Sequence, residues 1–459
     1  MRRMRRRSTD TAPSHRVTRR FDGASRIRDA RRAGWSIVLA VAAGCGGDGS
    51  SPTQFTPPPQ AGPVPSSRLA YEFRPGAVGF YYNPPTVVGN AVYIGTSRGV
   101  EYSIAPDNTF YKLSLSLVKQ WSFFLGSKEV RGGAALDAAG NIYFTVEEGR
   151  FRGTSNPSTL YLYSLDPSGA LRWTKEIRRT LPMYGMENPA IGADNTIYVG
   201  GNKFWAFDAS GTEKWNYGPA GPAILSMNAP IIDPAGNLYF SSQNAVFSLT
   251  AAGTKRWSVT TSGEPYSSPA FSRDYSKIFV AVHDTVYCLQ SATGVGAWRF
   301  SPPGVTGVFR STPAVDDNDN VYLGTKDDEH SVFYAIRSDG TGILWKNTIG
   351  ADLYSSPAIG ADRTIYVASE RAGSTDAAFR LHALDLATGA EKWGSPLYGD
   401  VTWSSVAITD DGMLYVASID VEGVGAGVYA FHTDAVGGLL RTAGSPRFHG
   451  SNENTGRRP

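Results

Sequence analysis

The chain has 459 residues with 51 Gly, 28 Pro and 12% aromatic residues, a composition that favours strands, turns and large packed side chains over long helices. Its formal charge of +3 hides an uneven split: residues 1–32 carry twelve Arg against three Asp, which leaves the remainder near −6. With a mildly acidic body, the basic isoelectric point is no argument for nucleic acid, and no nucleic-acid partner is expected.

In chain order, the arginine-rich lead runs into AGWSIVLAVAAG, Ala33 to Gly44, and then Cys45. Twelve apolar or small residues are too few to span a bilayer and suit a signal-peptide core. Residues 1–44 therefore read as a signal peptide with an arginine-rich lead. Residues 45–66 form a Gly/Ser/Pro-rich tether with nothing to bury. The run VAAGC resembles a bacterial lipobox at Ala43, Gly44 and Cys45 and departs from it at Ala42, where Leu is preferred. This resemblance implies cleavage before Cys45 and lipidation of its thiol; the competing reading is an ordinary secretory signal with an incidental cysteine. With Cys45 capped, Cys288 is the single thiol left and reads as a buried structural residue.

From Tyr82 onward one phrase returns eight times. Its copies are YNPPTVVGNAVYIG, RGGAALDAAGNIYF, MENPAIGADNTIYV, MNAPIIDPAGNLYF, YSSPAFSRDYSKIFV, RSTPAVDDNDNVYLG, YSSPAIGADRTIYV and WSSVAITDDGMLYV. A period near 42 residues indicates an array of supersecondary units. Each unit reads as an apolar strand, a Gly/Asp/Asn turn and a strand of type IYV, the pattern of an antiparallel hairpin. A third strand follows, as in Leu381 to Asp385, then a DxxxG turn and a strand carrying Trp121, Trp173, Trp215, Trp257, Trp298, Trp345 or Trp393. Four short strands per unit predict an all-β fold: an eight-bladed β-propeller of four-stranded antiparallel blades over residues 67–447, with 448–459 as a C-terminal tail. A regularly placed Trp suits a wedge between adjacent blades. The eighth unit has Leu439 or Leu440 where Trp belongs. RLAYEFRPG, Arg68 to Gly76, offers Tyr71 in the Trp slot and would close the ring from the N-terminal side; alternatively GLLRTAG completes the last blade.

These units resemble the pyrroloquinoline-quinone-type propeller repeat, and with the lipobox the whole resembles lipid-anchored propellers of the BamB-like kind. The tail SPRFHGSNENTG resembles a WPxFxxDxxNTG motif at the ends of such secreted propellers, with a departure at Arg447. The resemblance implies a non-catalytic binding or scaffold protein of the cell envelope. Its partners would be envelope proteins, as in outer-membrane assembly, and it would be a monomeric propeller anchored to the outer membrane. Binding or processing of carbohydrate is the alternative. A quinoprotein dehydrogenase, which shares the fold, ranks last: such enzymes hold quinone with vicinal cysteines, and this chain has two cysteines 243 positions apart. No cofactor and no metal is therefore expected.

Other chemistry has local explanations. GTSRG, Gly95 to Gly99, matches GxSxG but lies between strands rather than at a strand-to-helix elbow. The six His show no metal spacing. DDNDN, Asp316 to Asn320, offers oxygen ligands but occupies the recurring turn, where Asp and Asn are favoured anyway.

The position just before each unit's first strand holds Tyr82, Arg131, Met186, Met227, Tyr266, Arg310, Tyr354 and Trp403. In a propeller these would ring the mouth of the central channel, on the face where the insertions Glu147–Thr159, Ser369–Phe379 and Ser418–Gly427 emerge. The aromatic and Arg members are residue types enriched at recognition hot spots. Tyr82, Arg131, Tyr266, Arg310, Tyr354 and Trp403 are the predicted partner-binding set; Met186 and Met227 read as channel packing. Exposure is expected for Arg310 and Trp403, because a buried Arg there would need a partner that the repeat does not provide.

Overall fold

The computed structural model describes residues 68–457, apart from 76–78, 81–82, 98–107, 150–157, 181–186, 219–227, 243, 306, 328–330, 350–351, 371–379, 398, 400, 402–403, 420–425 and 453. The described residues form eight antiparallel sheets of four strands around a ring, two of them with one extra short strand, and no helix. From inside outward, blade 1 is Thr86–Val88, Ala91–Gly95, Thr109–Ser114 and Lys119–Phe124. Blade 2 is Ala135–Leu136, Ile142–Glu148, Ser158–Leu165 and Leu171–Thr180, with Glu129–Val130 added. Blade 3 is Ala190–Ile191, Ile197–Gly200, Phe204–Phe207 and Glu213–Tyr217; blade 4 is Ile231–Ile232, Leu238–Ser242, Ala245–Leu249 and Lys255–Thr260. Blade 5 is Ala270–Phe271, Lys277–Val282, Thr285–Gln290 and Gly296–Phe300. Blade 6 is Ala314–Val315, Val321–Lys326, Val332–Ile336 and Ile343–Thr348, with Val308–Phe309 added. Blade 7 is Ala358–Ile359, Thr364–Ser369, Arg380–Asp385 and Glu391–Pro396. Blade 8 takes Ala407–Ile408, Met413–Ala417 and Val428–His432, and its outer strand is Leu69–Phe73.

The turn chemistry is local. In blades 2, 4 and 6 an Asp (Asp137, Asp233 or Asp316) accepts backbone N–H bonds from two and four residues on, plus the amide of that Asn and the hydroxyl of the following Tyr. One carboxylate thus closes the hairpin and anchors its second strand. Second strands are buried on both faces, whereas outer strands such as Lys119–Phe124 alternate towards solvent. Blades stack through aromatic pairs, including Phe110 on Phe144 at 4.1 Å and Phe204 on Phe240 at 4.2 Å.

The recurring Trp lies across the blade boundary. The Nε1 of Trp173, Trp215, Trp257, Trp298 and Trp345 donates to a carbonyl in the third-to-fourth-strand turn of the next blade, at 2.9–3.1 Å. Each ring covers the glycine of that turn: Gly211, Gly253, Gly294, Gly340 and Gly389 all have positive φ, and an added Cβ would fall 2.2–2.8 Å from indole carbon. The DxxxG signature therefore serves two needs, a left-handed turn and a bare surface for the neighbour's indole.

The open choice at the ring's seam is decided for the N-terminal strand. Leu69–Phe73 pairs antiparallel with Val428–His432, and Tyr71 opposite Ala430 takes the register that Trp393 takes opposite Ala383. Arg68 stacks over Trp393 at 4.8 Å and donates to Asp434. GLLRTAG instead leads into a tail that crosses the turn end of the inner strands. Backbone N–H groups of Val87, Ile191, Ile232, Val315 and Ile359 donate to carbonyls of Asn452, Thr455, Gly456, Ser445 and Pro446 at 2.7–3.0 Å. Phe271 and Ile408 donate to side chains of Ser445 and Asn452. Arg447 is buried, donating to the Val406 and Ser451 carbonyls and to Asn454, while Asn454 reaches Thr86. Among the described residues, blades 1 and 3 to 8 thus bond to the tail, and the strand-like N–H donors of their inner strands would otherwise face an empty channel end.

Two outcomes follow from this packing. Gly253→Ala should cost about 1 kcal/mol for the left-handed turn and a further amount of about 1–3 kcal/mol for displacing Trp215, whereas Gly236→Ala, with the same φ of +82° but no contact closer than 3.4 Å, should show only the first part. Denaturant midpoints of the two variants test the difference, and equal losses would refute the indole-on-glycine account. In the tail, burial lowers the His449 pKa to about 4 while its Nε2 donates to the Pro230 carbonyl. The unfolded chain then binds the extra proton first, so stability falls as pH drops from 6.5 towards 4, by up to about 3 kcal/mol. His449→Gln should flatten this part of the stability–pH curve.

Candidate functional site

The inner strands begin with two small polar residues that join blade to blade. Ser268 N donates to Thr312 Oγ1 at 3.1 Å, Thr312 N to Ser356 Oγ at 3.0 Å, and Ser356 pairs in parallel with Ser405. One residue earlier, Ser267 bonds both the N–H and the carbonyl of Ala281. The phrases YSSP, RSTP and WSSV are therefore backbone links around the channel, and Tyr266, Arg310 and Tyr354, each before its pair, sit at the opposite end of the inner strand from the tail.

Of the predicted ring, Tyr82, Trp403, Met186 and Met227 lie outside the described residues, as do Cys45, residues 1–67 and most of the three insertions. Tyr266, Arg310 and Tyr354 are half-buried. Arg310 lies over the Tyr266 ring, its guanidinium carbon 3.7 Å from the centroid, so adjacent units do bring their ring residues together. Burial raises the Tyr266 pKa, with Glu264 adding to the rise and Arg310 opposing it.

Arg131 is placed differently: it is 1% exposed. Its Nε lies 3.0 Å from Glu147 Oε2, and Arg178 bridges Glu147 at 3.3 Å and Glu187 at 2.5 Å. Ser158 Oγ donates to Glu147 at 2.6 Å. Burial pushes the Glu187 carboxyl above its usual range, against the pull of Arg178 and Arg131. The partner that the repeat does not provide comes from features peculiar to blade 2: Glu147 near the end of an extended second strand and Arg178 on a ten-residue outer strand. Sequence reasoning did not single out Glu147, Arg178 or Glu187 as a set. The available signal was Glu187 standing where four of the five later units have Ser.

The remaining candidates are absorbed by structure. Ser97 of GTSRG is buried and bridges Gly79 in extended backbone. Both carboxylate oxygens of Asp316 are engaged by its own turn. Cys288 is fully buried opposite Trp298, and burial raises its thiol pKa to about 12. A thiol so placed does not fit the vicinal cysteines of a quinone site. His382 is held between Ser369 and Glu391. A cavity of about 380 Å³ lies by the tail between blades 8 and 1, with Asn90, Asp410, Asp411, Arg441 and Asn452 over Val87, Leu115 and Leu439.

Comparison with known proteins agrees with this architecture. Residues 282–396 match the family described as Outer membrane protein assembly factor BamB. BamB from Moraxella catarrhalis superposes with a TM-score of 0.54 at 14% identity, covering 81% of this chain and all of that one. A europium-containing methanol dehydrogenase gives 0.58 at 14% identity over 80% of this chain and 93% of that one. Quinohemoprotein alcohol dehydrogenase from Comamonas testosteroni gives 0.57 at 13% identity over 80% and 76%. At these identities the likeness concerns the fold. A serine/threonine-protein kinase, AfsK, from Streptomyces griseus is 27% identical over 215 residues, which are 44% of this chain and 26% of the kinase; the match spans about a quarter of that relative.

The buried quartet makes a clear demand. Glu147→Gln removes the carboxylate shared by two buried guanidinium groups and should destabilise the protein by about 3–5 kcal/mol. A loss below about 1 kcal/mol in denaturant titration would show that the quartet does not hold blades 2 and 3 together.

Proposed function

We propose, from the premise that the chain is a β-propeller of pyrroloquinoline-quinone-like repeats, that it is a non-catalytic binding and scaffold protein of the bacterial cell envelope. The match of residues 282–396 to the outer-membrane assembly factor family carries this reading. The fold supports it physically. A ring locked at its blade boundaries and bonded across its turn end by the tail is rigid, and recognition surfaces on rigid scaffolds lose little entropy on binding. The binding face is the end of the inner strands remote from the tail, where Tyr266, Arg310 and Tyr354 stand half-buried; Tyr82 and Trp403, outside the described residues, complete the set by their place in the repeat. Arg131 contributes from below as part of the ion quartet. The protein is monomeric, exported, and tethered to the outer membrane through lipid on Cys45.

Carbohydrate binding remains as a second reading because the cavity beside the tail combines carboxylates, amides and a guanidinium above an apolar floor, groups that suit hydroxyl-rich ligands.

One experiment separates these. Affinity capture from detergent-solubilised envelopes should retain a specific protein partner, and Arg310→Ala with Trp403→Ala should lose it at an unchanged Tm. Binding on a glycan array with no captured protein would favour the second reading. Lost Tm with unchanged capture would mean that the ring is core. In the same cells Cys45→Ala should move the protein to the soluble fraction; unchanged fractionation would refute the anchor.

A further inference from the structure

Arg131 and Arg310 occupy the same position of their units, and their surroundings can be compared residue by residue. Each follows an added two-residue strand, Glu129–Val130 or Val308–Phe309, that pairs with the end of the blade's second strand. The registers coincide: Glu129 faces Glu147 and Val130 faces Val146, while Val308 faces Lys326 and Phe309 faces Thr325. Farther in, Ala135 faces Tyr143 as Ala314 faces Tyr322. Lys326 therefore stands where Glu147 stands. The carboxylate that neutralises Arg131 is replaced at Arg310 by a second cation.

Glu264 also stands at this corner, where it raises the Tyr266 pKa, but no ion pair joins it to Arg310. No ion pair to Arg310 occurs among the described residues, and its Nε is buried without a hydrogen-bond partner. Lys326 is answered separately by Asp352 at 3.7 Å, and Asp352 also accepts from Ser331 and the Asp327 N–H. His283, whose carbonyl accepts from Phe309 N, is paired with Asp284. The Arg310 guanidinium meanwhile is braced against Tyr266. A stacked guanidinium keeps its N–H edge in one plane, the arrangement that receives a carboxylate bidentately.

We propose that the Arg310–Tyr266 corner receives a carboxylate of an acidic segment in a protein partner, seated on Arg310 as Glu147 is seated on Arg131. The chain thus carries its own picture of the complex: blade 2 supplies internally what blade 6 takes from outside. This inference rests on the scaffold reading for the source of the carboxylate, and it is tested with a probe that needs no natural partner.

The probe is fluorescein-labelled hexaglutamate, titrated by anisotropy into the purified full chain, with hexaglutamine as the neutral comparator and inorganic phosphate as competitor. Saturable binding of hexaglutamate alone is expected, undisturbed by equimolar phosphate. Arg310→Gln should weaken it at least tenfold. Arg299→Gln, which removes an exposed guanidinium stacked on Tyr287 at 4.6 Å on the outer strand of blade 5, should leave it unchanged. Lys326→Gln should weaken it less than threefold. Lys326→Glu should abolish it, because the new carboxylate refills the slot; both Lys326 variants lose the Asp352 contact, so their melting curves control for folding. Equal binding of hexaglutamine, competition by phosphate at matched concentration, insensitivity to Arg310→Gln, or identical behaviour of the two Lys326 variants would each overturn the proposal. Asp328 and Glu329, outside the described residues, are the chain's own rivals for Arg310. If Asp328→Asn with Glu329→Gln is required before any binding appears, the slot is internally filled and the proposal fails. Such failure leaves the envelope-capture experiment untouched, so the two readings fail separately.

Discussion

The contact on which the ring depends is an indole laid over a glycine. A blade of four twisted strands has two faces to cover, and only a neighbouring blade offers a matching surface. Trp173, Trp215, Trp257, Trp298 and Trp345 each reach across that boundary, donate the indole N–H to a turn carbonyl of the next blade and cover a glycine whose φ is positive; Trp121 covers Gly169 without that hydrogen bond. In those five the indole's apolar body displaces water while its polar edge is satisfied, so burial costs no unpaired donor. The contact is directional as well. It runs from one blade to the next in chain order, so one local instruction repeated along the sequence builds a closed circle.

A circle of repeats has one seam, and two devices of different kinds secure it. The first is strand exchange, in which Leu69–Phe73 completes the blade begun by Ala407–Ile408. An exposed edge in that blade would otherwise invite pairing with another chain. The second is the tail. It bonds to inner strands from blade 1 round to blade 8, so opening the ring at any one boundary would strain contacts made to several blades. The short buried strands at the centre, two residues long in most blades, have few ladder bonds of their own, and the tail satisfies N–H groups that their length leaves over.

The two arginines of the ring show how a repeat acquires a site. Unit position sets where the guanidinium emerges, but the residue across the added strand sets what it does. With Glu147 opposite, and Arg178 and Glu187 closing the set, the charge is taken into the interior as structure. With Lys326 opposite, the charge stays at the half-exposed edge and leans on an aromatic ring for orientation. Burying the first is tolerable only because its carboxylates are buried with it. The second keeps contact with water, which spares it that demand.

Much of this architecture was legible in the chain alone. The eight returns of one phrase, the strand–turn–strand spacing and the regular Trp determine an eight-bladed ring, because each feature is local: a turn needs its Asp and Gly within a few residues, and a blade needs its four strands within about 42 positions. The buried nature of Cys288 and the turn role of Asp316 were equally local. The sequence left the seam open between two segments, and it carried no sign that the tail would cross the inner strands, since those bonds join residues up to 368 positions apart. Nor did it separate Arg131 from Arg310. Both are Arg in the same slot of the same phrase, and only tertiary structure brings Glu147 to one and Lys326 to the other. Repeats dictate backbone position by short-range chemistry; the charge that meets each side chain is decided by neighbours that only folding makes adjacent.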